Sequence, residues 1–124
     1  MTYRVVIADD DSDIRSLVEI SVRRAGLEPV AVVEDGDAAL ASILREQPDL
    51  AILDIAMPGL DGFQVCQAVR SAALPADVRI VLLSASVDDT DRTRSLEAGA
   101  DYFMPKPFSP QELVAWLAVG KQAR

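Results

Sequence analysis

Five side chains that could take part in chemistry stand at or just after the ends of short apolar runs: Asp9, Asp10, Asp54, Ser84 and Lys106. Carboxylates can bind a divalent cation or attack an electrophile, an ammonium supplies positive charge, and a hydroxyl donates a hydrogen bond. Together such groups could transfer a phosphoryl group. The carboxylate attacks phosphorus, while the cation, the ammonium and the hydroxyl stabilise charge on the phosphoryl oxygens. This chemistry requires a fold that brings all five side chains to one place.

The composition of the 124-residue chain narrows the possible sites. The sequence has no histidine and one cysteine, so histidine-based triads are excluded and a metal site must use oxygen ligands, which favours Mg²⁺, Ca²⁺ or Mn²⁺. The cysteine, Cys66, lies in a helical pattern and is predicted to be a small core residue. The net charge of −8 argues against direct nucleic-acid binding and against docking on anionic membranes. The sequence has no signal-peptide pattern and no membrane-spanning apolar run, and we expect a cytoplasmic protein.

Apolar runs alternate five times with helical patterns, which predicts a single α/β domain over residues 1–124. The predicted strands cover residues 4–8, 30–33, 50–53, 79–83 and 101–104. The predicted helices begin after Asp11 or Ser12, at Gly36, near Phe63, at Asp89 and after Ser109. The fourth helix has one large apolar residue, Leu96, so we expect it to be weakly anchored.

This alternation requires a parallel, doubly wound sheet with helices on both faces and right-handed crossovers. Pro29 and Pro105 each remove a ladder donor, which puts the second and fifth strands at the edges. The continuously apolar third and fourth strands are central, and the order 2-1-3-4-5 satisfies these constraints. Asp9, Asp10 and Asp54 then crowd together at the switch point between strands 1 and 3. Two charges about 4 Å apart repel by roughly 4 kcal/mol at an effective dielectric near 20, so the cluster predicts that a divalent cation or a cationic side chain shares it. The oxygen ligands favour Mg²⁺, and Lys106 supplies one more positive charge.

Each of these residues also has an ordinary structural explanation. Asp54 could cap the turn that follows it, and the acids after the first strand could form a solvated helix start. Ser84 could be a turn residue, and Lys106 a surface charge. Only their joint occurrence at strand ends, in this order, favours a chemical role.

Four segments carry a family resemblance: residues 7–11 (IADDD), 53–62 (LDIAMPGLDG), 83–85 (LSA) and 99–108 (GADYFMPKPF). Together they resemble the receiver domain of two-component response regulators, in register over essentially the whole chain. The resemblance implies a flavodoxin-like (βα)5 fold. It also implies a phosphoacceptor switch rather than an enzyme, one that catalyses only its own phosphorylation and slow dephosphorylation.

The resemblance assigns roles to particular residues. Asp54 would accept the phosphoryl group of a phosphohistidine on a sensor histidine kinase or a histidine phosphotransfer protein. Asp10, Asp54 and the backbone carbonyl of Ala56 would ligate Mg²⁺ directly, while Asp9 would act largely through water. Asp11, one step further along, is the less favoured ligand.

The resemblance also implies how the signal would leave the site. Ser84 would turn toward the phosphate, and Phe103, rather than its neighbour Tyr102, would be the aromatic switch. The surface of the fourth helix, fifth strand and fifth helix would then change for a downstream effector protein or domain. The bond between Lys106 and Pro107 would be cis, and the protein would be a monomer or a phosphorylation-dependent dimer.

Two alternatives remain at this stage. A phosphatase with an aspartate nucleophile commonly carries a second acid two residues later, where this chain has Ala56. A receiver-like interaction module that is not phosphorylated usually lacks an acid or the lysine, and this chain keeps all of them.

Overall fold

The computed structural model describes residues 3–75, 77–85, 88–106 and 109–122, with the side chains described as far as residue 117. Five parallel strands form one sheet in the order β2-β1-β3-β4-β5. They are β1 (Arg4–Ala8), β2 (Glu28–Val33), β3 (Leu50–Asp54), β4 (Arg79–Ser84) and β5 (Tyr102–Pro105). The predicted order is confirmed, with the proline-containing strands β2 and β5 at the two edges.

Five helices connect or follow the strands: α1 (Ser12–Arg24), α2 (Gly36–Glu46), α3 (Gly62–Ser71), α4 (Asp89–Glu97) and α5 (Pro110–Gln122). In four of them the N-cap residue, which directly precedes the helix, is an aspartate whose side chain accepts hydrogen bonds from backbone N–H groups of the first turn. These residues are Asp11, Asp35, Asp61 and Asp88. A carboxylate at this position satisfies free donors and also interacts favourably with the helix dipole. Capping therefore accounts for part of the acidity of the chain.

The strand boundaries differ from the predicted ones in instructive places. β2 begins at Glu28, two residues earlier than predicted, because Glu28 already pairs with Arg4. Its register then skips one residue: Val5 pairs with Pro29 and Val6 pairs with Ala31. The ladder also reaches one residue further in the centre, so Asp54 and Ser84 are the last residues of their strands rather than the first residues beyond them.

Two apolar layers cover the faces of the sheet, because alternate side chains of each strand point to opposite faces. Val6 and Leu53 pack on the face that carries α2 and α3, where Cys66 is fully buried as predicted. Val5 and Ile52 pack on the face that carries α1 and α5.

Helix α4 is attached even more weakly than the sequence predicts. Leu96, its one large apolar residue, is 60% exposed, and the buried residue of this helix is Ser95. The Ser95 hydroxyl donates a hydrogen bond to the backbone carbonyl of Asp91 one turn earlier, at 2.7 Å. With little apolar area buried, α4 depends on polar contacts for its position.

Candidate functional site

The fold brings the five predicted side chains to the carboxyl edge of the sheet. Asp9 directly follows β1, Asp54 ends β3, Ser84 ends β4 and Lys106 directly follows β5. One carboxylate oxygen from each of Asp9, Asp10 and Asp54 lies within 4.8 Å of the other two. The crowding predicted for the switch point is therefore present.

Lys106 joins two of these carboxylates. Its Nζ lies 3.1 Å from Oδ2 of Asp9 and 3.2 Å from Oδ1 of Asp54. Asp9 is fully buried and Asp54 is 5% exposed, whereas Asp10 is exposed. One ammonium for three carboxylates leaves two negative charges uncompensated within this group. A small divalent cation that prefers oxygen ligands and keeps some water fits both the charge and the open side at Asp10.

Burial and neighbouring charges shift the ionisation of the two central groups. Burial, reinforced by the charge of Asp9 and opposed by Lys106, raises the pKa of Asp54 to about 6. For Lys106, burial disfavours the charged form, but the attraction of Asp54 and then Asp9 outweighs it and raises the pKa of the ammonium. The site therefore holds a charged lysine beside the carboxyl group of Asp54, whose ionisation is disfavoured.

The loop after β3 approaches the end of that strand closely because Gly62 has no side chain. A Cβ atom at Gly62 would lie only 2.7 Å from the backbone oxygen of Asp54. The Gly62 N–H donates to the carbonyl of Ile55 at 2.9 Å, which closes the loop. Ala56 lies in this loop, two residues after Asp54, and is exposed. The role of its carbonyl as a metal ligand stays a prediction.

Asp9 is held in place by the start of α1. The N–H of Asp11 donates to Oδ1 of Asp9 at 3.0 Å, and the Arg15 guanidinium donates to the Asp9 carbonyl at 2.8 Å. Asp11 itself caps α1 by accepting from the N–H groups of Asp13 and Ile14. Its carboxylate is thus used by the helix, in keeping with the expectation that it is the less favoured metal ligand.

Ser84 points its hydroxyl toward α4. The hydroxyl donates a 2.7 Å hydrogen bond to Oδ2 of Asp91, a contact that sequence reasoning missed. The N–H of Lys106 donates to the Ser84 carbonyl at 2.6 Å, so that β4 and β5 stay paired up to the site. The short connection from the predicted fourth strand to an acidic helix start indicated that acids lie near Ser84, but it did not single out Asp91.

The two neighbouring aromatic residues of β5 lie on opposite faces of the sheet. Tyr102 packs edge-to-face on Trp116 of α5, with ring centroids 4.9 Å apart. Phe103 is half-buried on the α4 side, where the Arg92 guanidinium lies 5.0 Å from the ring centroid. Phe103, not Tyr102, therefore adjoins the helix that contacts Ser84. The predicted cis bond before Pro107 lies outside the described residues.

Across the described ranges, no helix combines the length and the apolar character needed to cross a membrane. The predicted cytoplasmic location and the predicted oligomeric state stay predictions.

Comparisons with known proteins agree with this architecture. A family model described as the response regulator receiver domain matches residues 5–118. The probable transcriptional regulator ycf27 of Galdieria sulphuraria is 44% identical over 112 residues, which is 90% of this chain and 42% of that protein. The DNA-binding response regulator MtrA of Mycobacterium tuberculosis is 39% identical over 115 residues, 93% of this chain and 49% of that protein.

The comparison of structures gives the same family. The signal receiver domain of NarL from Mycobacterium tuberculosis superposes with a TM-score of 0.90 at 36% identity and covers 99% of this chain and 98% of that one. The chain spans less than half the length of the two regulators named above. With a family match over nearly all of its length and the same five-stranded topology, this chain belongs to the receiver domain family of response regulators.

Proposed function

We propose that residues 1–124 form a phosphoacceptor domain in which Asp54 takes a phosphoryl group from a phosphohistidine of a partner protein. The observation that carries this proposal is the position of the Asp54 carboxylate: buried at the end of β3, 3.2 Å from the Lys106 ammonium and within reach of two further acids. A buried carboxylate at such an edge has a nucleophilic oxygen and a nearby positive charge for the incoming phosphoryl oxygens.

In the transfer, an oxygen of Asp54 attacks phosphorus while the bond from phosphorus to the partner's imidazole nitrogen breaks. The electron pair of that bond stays on the nitrogen, and a proton from solvent completes the neutral imidazole. The product is an acyl phosphate on Asp54, which returns to the carboxylate when water attacks phosphorus. In this account the chain catalyses its own phosphorylation and dephosphorylation and has no separate substrate.

The protein groups act mainly on charge and position. Asp10, Asp54 and the Ala56 carbonyl would hold Mg²⁺, with Asp9 acting through water, and the bound cation would neutralise charge on the phosphoryl oxygens. Lys106 would leave Asp54 Oδ1 and pair with a phosphoryl oxygen while staying close to Asp9. In the resting site the neighbouring carboxylates of Asp54 and Asp9 raise the pKa of its ammonium, so Lys106 would meet the incoming phosphoryl group in the charged form.

The output would pass through β4 and β5 to the surface formed by α4, β5 and α5. Ser84 would donate to the phosphate, and Phe103 would move toward the space that the hydroxyl leaves. This is a shift between two populated conformations rather than a new fold. The partners would be a sensor histidine kinase or histidine phosphotransfer protein and a downstream effector, without direct nucleic-acid or membrane contact by this domain.

Incubation with acetyl phosphate and Mg²⁺, followed by intact mass measurement, tests the proposal. The parent protein should gain one phosphoryl group, and Asp54→Asn should gain none while it remains folded. Continuous release of phosphate without a phosphorylated protein would indicate a phosphatase. Neither phosphorylation nor turnover would indicate an interaction module and would overturn the proposal.

A further inference from the structure

The hydroxyl of Ser84 is already engaged by a carboxylate of helix α4. It donates to Oδ2 of Asp91 at 2.7 Å, and Ser84 is only 2% exposed. Asp91 stands in the first turn of α4 and is itself partly buried. A hydroxyl-to-carboxylate bond of this length is the charge-assisted kind, stronger than a bond between neutral groups.

A serine hydroxyl carries a single proton and so has one strong hydrogen bond to give. Its donation to Asp91 and its donation to a phosphoryl oxygen on Asp54 are therefore alternatives. Any free energy that stabilises the first arrangement must be overcome before the second can form.

The hydrogen bond between Ser84 and Asp91 also connects α4 to the sheet. The backbone carbonyl of Asp91 accepts from the buried Ser95 hydroxyl, and the next residue, Arg92, lies over the Phe103 ring. Leu96 faces solvent, whereas the Asp91 carboxylate joins the first turn of this helix to the last residue of β4. Withdrawal of the Ser84 hydroxyl would remove this contact between α4 and the sheet.

We propose that Asp91 is a positioning residue that keeps the Ser84 hydroxyl in the resting orientation and thereby sets the cost of phosphorylation-induced switching. This inference rests on the proposed phosphoacceptor role of Asp54. Before phosphorylation, the hydrogen bond to Asp91 stabilises the resting orientation of Ser84. When Ser84 turns to the phosphoryl group, this bond breaks, and α4 loses a contact with the sheet.

The consequence is that removal of Asp91 should favour the phosphorylated conformation. A hydrogen bond to a charged acceptor is worth about tenfold in an equilibrium constant, and in Asp91→Ala the Ser84 hydroxyl no longer has to give it up. Asp91→Asn keeps the size of the side chain and a neutral acceptor, so its effect should be smaller. Asp89→Ala is the matched control, because it removes an exposed acid from the same helical turn.

The test measures the dissociation constant of beryllofluoride, an anion that mimics a phosphoryl group on a carboxylate, by calorimetry in saturating Mg²⁺. Asp91→Ala should bind about tenfold more tightly than the parent, Asp91→Asn less so, and Asp89→Ala like the parent. In a Ser84→Ala background, Asp91→Ala should have no further effect, because the competing hydroxyl is gone. Thermal unfolding of each variant confirms that it is folded.

The outcomes separate the inference from the function on which it rests. Binding by the parent with unchanged affinity in Asp91→Ala, or an equal gain in the Ser84→Ala background, would overturn the role of Asp91 alone. Absence of beryllofluoride binding by the parent itself would overturn the proposed function and this inference together.

Discussion

The ammonium nitrogen of Lys106 lies 3.2 Å from Oδ1 of Asp54, and both side chains are largely buried. The same nitrogen contacts Asp9 at 3.1 Å, so one lysine compensates two carboxylates that the sequence places far from it. Lys106→Met should leave the two carboxylates without a compensating positive charge. We expect the free energy of unfolding of the metal-free protein to fall by about 3 kcal/mol, since breaking a buried ion pair leaves an uncompensated buried charge. Urea unfolding in the presence of a chelator measures this.

Arg23→Met is a suitable control for the loss of a positive charge. The Arg23 side chain is 62% exposed and pairs with Glu19 at 3.2 Å on the surface of α1. Such exposed pairs contribute about 0.5 kcal/mol or less. Equal stability losses in the two variants would contradict a special role for Lys106.

The metal-free protein should lose stability as the Asp54 carboxyl ionises. The pKa of this carboxyl is raised from 3.8 to about 6, so the folded protein binds the proton more tightly than the unfolded chain. This contribution to stability is fully present below pH 3.8 and is lost as the pH rises through about 6, with a total of about 3 kcal/mol. The charged groups that face Asp54 are Asp9, Asp10 and Lys106.

Asp54→Asn removes this titration. In chelator, the variant should be more stable than the parent at pH 8, and the difference should disappear near pH 4. Unfolding free energies measured at both values check the sign. A parent that is more stable than Asp54→Asn at pH 8 would show that the Lys106 pairing outweighs burial and the charge of Asp9.

Mg²⁺ should stabilise the unphosphorylated protein, because it relieves the repulsion among Asp9, Asp10 and Asp54. At a concentration about 100-fold above its dissociation constant, the gain would be about 2.7 kcal/mol. Asp10→Asn should weaken the effect and should raise the metal-free melting temperature, since one repelling charge is gone. Asp13→Asn, outside the cluster, should respond to Mg²⁺ like the parent. A melting temperature indifferent to millimolar Mg²⁺ would count against the metal site.

The sequence was sufficient to predict the sheet order and the residues gathered at its edge. Pro29 and Pro105 identified the edge strands, and the apolar runs before Asp54 and Ser84 identified the central ones. These signals depend on backbone donors and burial, which act locally and leave a clear pattern.

The way in which α4 packs on the sheet could not be predicted from the sequence, for a physical reason. A helix with one large apolar residue has no stripe that fixes its rotation about its axis, so whether Leu96 or Ser95 faced the sheet was undetermined. The contact between Asp91 and Ser84 follows from that rotation and from the χ1 angle of Ser84, neither of which leaves a pattern in the sequence.

The lifetime of the acyl phosphate should be limited by how well water is positioned for attack. Ala56 is exposed, lies two residues beyond Asp54 and has no polar side-chain atom, so slow self-dephosphorylation is expected. The sequence places a second side chain, that of Ser86 two residues after Ser84, beside the expected path of the water, and Ser86 lies outside the described residues. Ala56→Asn should place an amide near the attacking water and speed hydrolysis by about tenfold.

Decay of the phosphorylated mass after removal of the donor, with Mg²⁺ present, measures this lifetime. Ala41→Asn, at an exposed position of α2, controls for the added amide. An unchanged or slower decay in Ala56→Asn would mean that another group controls the attack of water.

Chemical location of the acyl phosphate shows whether the phosphoryl group resides on Asp54. Borohydride reduces an aspartyl phosphate to homoserine but leaves a free carboxylate intact, so peptide mass spectrometry after reduction identifies the modified position. We expect homoserine at position 54 alone, and only after incubation with donor and Mg²⁺. Homoserine at position 9 or 10, or a phosphorylated protein with none at position 54, would contradict this expectation.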